Sequence, residues 1–175
     1  MQHTKQERIK VTLLLYTVRK AVSEIFGVPF TERINHQAFK PVQKILAFWA
    51  ADCAEHVLNY FEEKYLNDDR PRKAIEACRK WAATGALNLA EIRKFSLDAH
   101  AAAKTAKEDD AKYAAHAAGQ AVATAHCATH SLGAAIYGIR AAAVHSSILS
   151  DGLVKEFNWQ MERLRQIKLA TSQLV

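Results

Sequence analysis

Between Ala114 and Ala143 the chain reads AAHAAGQAVATAHCATHSLGAAIYGIRAAA, and this stretch decides the fold. Alanine is the strongest helix former. Ala115, Ala118, Val122, Ala125, Thr129, Leu132, Ile136, Ile139 and Ala143 recur at alternating spacings of three and four, which puts them in one seam along a helix. Such helices pack closely while burying little area per residue, so the expected fold is all-α, a single-domain bundle around an Ala-rich central helix. Gly119, Gly133 and Gly138 each cost a helix up to about 1 kcal/mol relative to alanine, so a neighbour is expected to come close at each. Asp109 and Asp110 suit the positive end of the helix dipole at its start, and a bend is expected near Ser131 to Gly133.

Working outward, about six helices account for the chain. The first runs from Lys5 to Phe26 on Val11, Leu15, Val18, Val22 and Ile25, and Gly27 and Pro29 stop it. Phe30 to Lys40 reads as a loop. Pro41 suits the first turn of a second helix over Val42 to Tyr65, with Leu46, Trp49, Cys53, Val57 and Tyr60 on one face. Asp69 as N-cap and Pro71 in the first turn open a third, which stops before Gly85. Asn88 with Glu91 reads as a capping box for a fourth over Leu89 to Lys107. The Ala-rich helix is the fifth. After a break across Ser146 to Gly152, a last helix covers Leu153 to Leu169, with Phe157, Met161 and Leu164 in its stripe.

At 175 residues the chain is the size of one domain. Cys53, Cys78 and Cys127 are odd in number and far apart, with no CxxC spacing, which points to a reducing compartment and a cytoplasmic protein. No apolar run has the length of a membrane span, and no secretory h-region follows Met1. The net charge is +6, and residues 1–40 hold seven Lys and Arg against three acids. Without a Lys/Arg block or a glycine-rich phosphate loop, this reads as a solvated helix face, so nucleic acid and nucleotides are not the expected partners.

Chemistry-bearing residues gather in three places. His126 and His130 are one helical turn apart, with His116 and Tyr137 on the His130 face, and Asp52 and His56 are also four apart. The plainer reading is of hydrogen-bonded histidines in a core or interface. The alternative is a metal site made by Asp52, His56, His126 and His130 on facing helices. Neither a Glu-x-x-His pair nor a His-Glu-x-x-His motif names a metal, so no cofactor is assigned. Asp52, Glu55 and His56 could serve acid–base work beside Trp49, but no nucleophile accompanies them, so ion pairing is the expected role and catalysis is not. Arg70, Arg72, Lys73, Arg79 and Lys80 crowd cations onto the third helix.

Several segments carry a likeness in order: Trp49-Ala50-Ala51-Asp52-Cys53-Ala54-Glu55-His56-Val57-Leu58, Phe61-Glu62, Asp69-Arg70-Pro71-Arg72-Lys73-Ala74-Ile75-Glu76-Ala77, Trp81, Ala117-Ala118-Gly119-Gln120-Ala121, Ala123-Thr124-Ala125-His126 and His130. Over about Leu46 to Ala143 the chain resembles the immunity-protein-five-like family of polymorphic toxin systems. The resemblance implies a helical, cytoplasmic protein that binds and neutralises a toxin protein and has no catalysis of its own. It carries over Asp52, Glu55, His56, Arg70, Arg72, His126 and His130 as a family signature of surface or core, without an assigned chemical role. Residues 1–40 fall outside it, with homo-oligomerisation as their expected use, and residues 41–175 form the helical core within one structural domain. The basic balance argues against mimicry of nucleic acid toward a basic nuclease, since like charges slow encounter.

Overall fold

The structure, a computed structural model, describes residues 5–27 and 39–172. Among them all regular structure is helical, as expected. The helices are α1 (Lys5–Phe26), α2 (Gln43–His56), α3 (Asn59–Glu62), α4 (Arg70–Thr84), α5 (Leu89–Thr105), α6 (Asp109–Ala123), α7 (His130–His145) and α8 (Leu149–Ser172), with a 3-10 turn at Lys40–Val42 before α2. The loop expected over Phe30 to Lys40 lies, as far as Ala38, outside the described residues, as does the side chain of Val11. Val18 and Val22 are fully buried, and Leu15 and Ile25 partly so.

The central helix is α6, on which Ala111, Ala114, Ala115, Ala117, Ala118, Ala121 and Val122 are all fully buried against α2, α4, α5 and α7. Alanine at these positions lets its neighbours come close to one helix. Ser96 bonds the carbonyl of Gly119 and His100 meets His116, so α5 runs antiparallel to α6. His130 meets Gln120 and Arg140 meets Tyr113, so α7 is antiparallel in turn. A second core, with Trp49, Leu132, Ile139, Met161 and Leu164, joins α1, α2, α7 and α8.

Four boundaries differ from expectation. The Ala-rich run is two helices, because the chain turns at Thr124–Thr129 and α6 does not continue to Ala143. Side chains there replace the lost backbone bonds. Gln43 Nε2 donates to the carbonyls of Thr124 (2.7 Å) and Ala125 (3.1 Å), and Ser131 Oγ donates to that of Ala128 (2.7 Å). The second helix stops at His56, and the separate turn α3 seats Phe61 in the core at 1 % exposure. The fourth helix, α5, ends at Thr105, since Ala106 is extended (φ −67°, ψ 135°). The last helix starts at Leu149, with Gly152 inside it, where a Cβ would collide with the carbonyl of Ala142 at the end of α7.

The caps are mostly as read. Asn88 and Glu91 exchange both bonds of a capping box at 3.0 Å, and Gly85 closes α4 at φ +70°. Asp69 stands at the N-cap position of α4, but Asp68 supplies the carboxylate that the Arg70 amide bonds, at 3.2 Å. No helix among the described residues is long and apolar enough to cross a membrane.

Candidate functional site

Asp52 lies on the face of α2 turned toward α4 and α8 and is 8 % exposed. A buried carboxylate needs partners, and two guanidiniums supply them. Arg79 Nη1 on α4 reaches Asp52 Oδ1 at 2.6 Å, and Arg163 Nε on α8 donates to Oδ2 at 2.7 Å. Arg79 also binds Glu55, and Arg72 holds Glu62 in a two-point grip at 2.6 and 2.7 Å while lying 3.6 Å from Glu55. Burial works against the charge on Arg79, but Asp52 and Glu55 more than offset it, so its pKa rises above the ordinary value. Each of these arginines is already paired with a carboxylate.

His56, one turn beyond Asp52, faces the same cleft. Its Nδ1 lies 2.7 Å from Oε2 of Glu156, which is only 4 % exposed. The other Glu156 oxygen accepts from Gln160 Nε2 at 2.9 Å, and Gln160 is anchored by bonds to the Ala135 carbonyl (3.2 Å) and from Trp49 Nε1 (2.8 Å). A neutral His56 that donates through Nδ1 keeps its lone pair on Nε2. Gly138 leaves room for this network, since a Cβ there would stand 2.9 Å from Gln160 Nε2. The His56 ring lies flat on Trp159, centroids 3.7 Å apart.

The His56–Trp159 pair divides two adjoining clefts. The first, about 490 Å³, is lined by Asp52, Glu55, Arg79, Arg163 and Gln166 besides the pair itself. The second, about 460 Å³, has Tyr60, Ala142, His145 and Glu156 on its walls. There Tyr60 stacks on His145 at 4.0 Å, and His145 Nδ1 bonds Asp110 at 2.8 Å, repeating the pattern of an imidazole fixed by a carboxylate and covered by an aromatic ring. Val144, Ile148, Leu149 and Val154, neighbours in sequence of its α7–α8 edge, are all exposed.

Of the residues singled out in the sequence, Asp52, Glu55 and His56 come together here, with Arg72 joined to Glu55 outside both clefts. Arg70 does not line either cleft and binds Asp68 at 2.6 and 2.8 Å. His126 is exposed in the α6–α7 turn, and His130 Nδ1 bonds Gln120 at 2.7 Å. That turn is tied to Gln43 at the opposite end of α2 from His56, roughly 20 Å away along the helix. The quartet Asp52, His56, His126 and His130 is therefore not assembled. Among the described residues no three His, Cys, Asp or Glu side chains converge as a metal set. Cys53 and Cys78 are buried thiols whose pKa values are raised by desolvation, that of Cys78 to about 12, so neither is an activated nucleophile.

Sequence reasoning missed Glu156, Trp159 and Arg163 as site residues. Their signal was the spacing of Glu156, Trp159, Gln160 and Arg163, which places three polar side chains and an indole on one stripe of α8.

A second polar cluster runs along α5, α6 and α7. His100 Nδ1 and His116 Nδ1 stand 2.8 Å apart, His116 stacks on Tyr137 at 4.9 Å, and Arg140 covers the Tyr113 ring at 4.1 Å. Burial, and then neighbouring positive groups, lower the pKa values of His100, His116 and His130, that of His116 to about 4.

Residues 39–167 match the family model described as "Imm-5 like putative immunity protein". Comparisons with curated proteins and with solved structures return no match.

Proposed function

The chain belongs to the Imm-5 like putative immunity protein family, and from that premise we propose that it binds a toxin protein and neutralises it in the cytoplasm, without catalysis of its own. We infer that the toxin docks on the paired clefts between α2 and α8. The observation that supports this face is the stacked His56–Trp159 partition, fixed from beneath by the buried Glu156. Protein interfaces draw most of their energy from a few aromatic and arginine anchors in rigid surroundings, and ordering such side chains in advance lowers the cost of binding. Here Trp159 and the ion-paired Arg79 and Arg163 are already ordered by contacts from three helices, and exposed apolar side chains of the α7–α8 edge stand nearby.

The same face includes Asp52, Glu55 and His56 of the residues that carry the resemblance, with Arg72 beside it against Glu55 and Glu62, whereas Arg70, His126 and His130 serve elsewhere in the fold. Residues 41–175 are the working unit in this reading. The test is co-expression with a toxin protein drawn from polymorphic toxin systems. A stable one-to-one complex and protected cells are expected; a chain that neither co-purifies with that toxin nor protects against it removes the reading.

A further inference from the structure

Arg140 on α7 is half-buried, yet no carboxylate among the described residues pairs with it. Arg70, Arg72, Arg79, Arg163 and Arg165 each hold one, and Arg93, which holds none, is exposed. A guanidinium taken partly out of water needs a counter-charge or a fixed substitute. Here the substitute is aromatic. Arg140 Nη2 donates to the Tyr113 hydroxyl at 2.7 Å, and the centre of the guanidinium lies 4.1 Å from the Tyr113 ring centroid and 5.8 Å from that of Tyr137. The planar fork is thus held in one orientation with its other N–H groups unused. None of these residues lines either cleft.

The surroundings carry the same sign. After burial and His100, the groups that hold the pKa of His116 down to about 4 are Arg140, Lys112 and Lys104. Lys104 is exposed and pairs with no carboxylate among the described residues, and Asp109 is taken up by Lys112 at 2.9 Å. Tyr113 accepts from Arg140 and keeps its own proton to donate. This band of α5, α6 and α7 therefore offers N–H and O–H donors to a ligand made of acceptors. Carboxylates fit it better than a nucleic-acid strand, because Arg140 and His116 already occupy ring faces of Tyr113 and Tyr137 on which bases would stack. We propose that Arg140, with Lys104 and Lys112 around it, is a docking point for an acidic segment of a partner protein. Its guanidinium grips one carboxylate in a two-point pair, as Arg72 grips Glu62 within the chain. This surface is separate from the paired clefts and does not depend on a toxin being bound there.

The experiment follows the fluorescence anisotropy of rhodamine-labelled hexaglutamate as the full chain is added, with labelled hexaglutamine and a short oligothymidylate as the other probes. Hexaglutamate is expected to bind, and to bind less tightly as salt rises, with hexaglutamine inert. Arg140→Gln should lose roughly tenfold in affinity. Arg93→Gln, the same change of charge on an exposed arginine, should match the parent. Circular dichroism confirms that the variants are helical. Lys104→Gln, at an exposed position, serves if Arg140→Gln does not fold, and should lose roughly threefold. No binding of hexaglutamate, full affinity in the variant used, an equal loss in Arg93→Gln, or tighter Arg140-dependent binding of the oligothymidylate overturns the proposal.

Discussion

The imidazole of His56 and the indole of Trp159 lie 3.7 Å apart with their planes 5° from parallel, and this contact sets the wall between the two clefts. Trp159 is only half-buried, so its removal should cost little stability while removing the anchor. Trp159→Ala is expected to weaken toxin binding by about 2 kcal/mol or more, close to thirty-fold, with a melting temperature near that of the parent. Titration calorimetry and a thermal melt of the same sample check both halves.

Asp52 holds Arg79 and Arg163 together across three helices, and its loss leaves both guanidiniums without their shared carboxylate. Removing one member of a buried pair costs about 3–5 kcal/mol. Both arginines here keep part of their surface in water, so Asp52→Ala should cost less, about 2 kcal/mol, in urea unfolding. A variant within about 0.5 kcal/mol of the parent would mean that the Asp52 ion pairs contribute nothing to the fold.

Gly119→Ala sets helix propensity against packing. Alanine gains up to about 1 kcal/mol in a helix, but its Cβ would press on the His100 ring at 2.8–3.0 Å. The net expectation is a loss of about 1 kcal/mol. Adding His100→Ala should turn the same substitution into a gain, and a double-mutant cycle reads that reversal directly.

The histidines of the second cluster make stability depend on pH. Their folded pKa values lie below the ordinary value of 6.5, that of His116 at about 4, so the unfolded chain takes up protons first as pH falls. Their contribution is complete above about pH 6.5 and is lost as pH falls toward 4. The urea midpoint of the protein should drop across that window, and the drop should be shallower in His116→Gln. An equal slope in the two proteins would contradict the assignment.

The helical class was legible because alanine spacing and the glycine, proline and Asn88–Glu91 signals are local. The division of the Ala-rich run at Thr124–Thr129 was not, since Gln43, distant in sequence, supplies the bonds that make the turn tolerable. The same limit applies to the site. Asp52, Glu55 and His56 share a helix and could be grouped from spacing alone, but Glu156 and Arg163 reach them only through the packing of α8. His126 and His130, paired by sequence spacing, do not share a helix, because the run turns at Thr124–Thr129 and leaves His126 exposed in the turn while His130 opens α7.

The central claim is that this chain neutralises a toxin by binding it at the His56–Trp159 partition. Its most direct measurement is a titration of the toxin that the chain neutralises in co-expression against the parent chain, Trp159→Ala and His100→Gln. Tight binding by the parent and by His100→Gln, with a loss of about thirty-fold or more in Trp159→Ala, is the predicted result. Equal affinity in all three, or no binding by the parent, would contradict it.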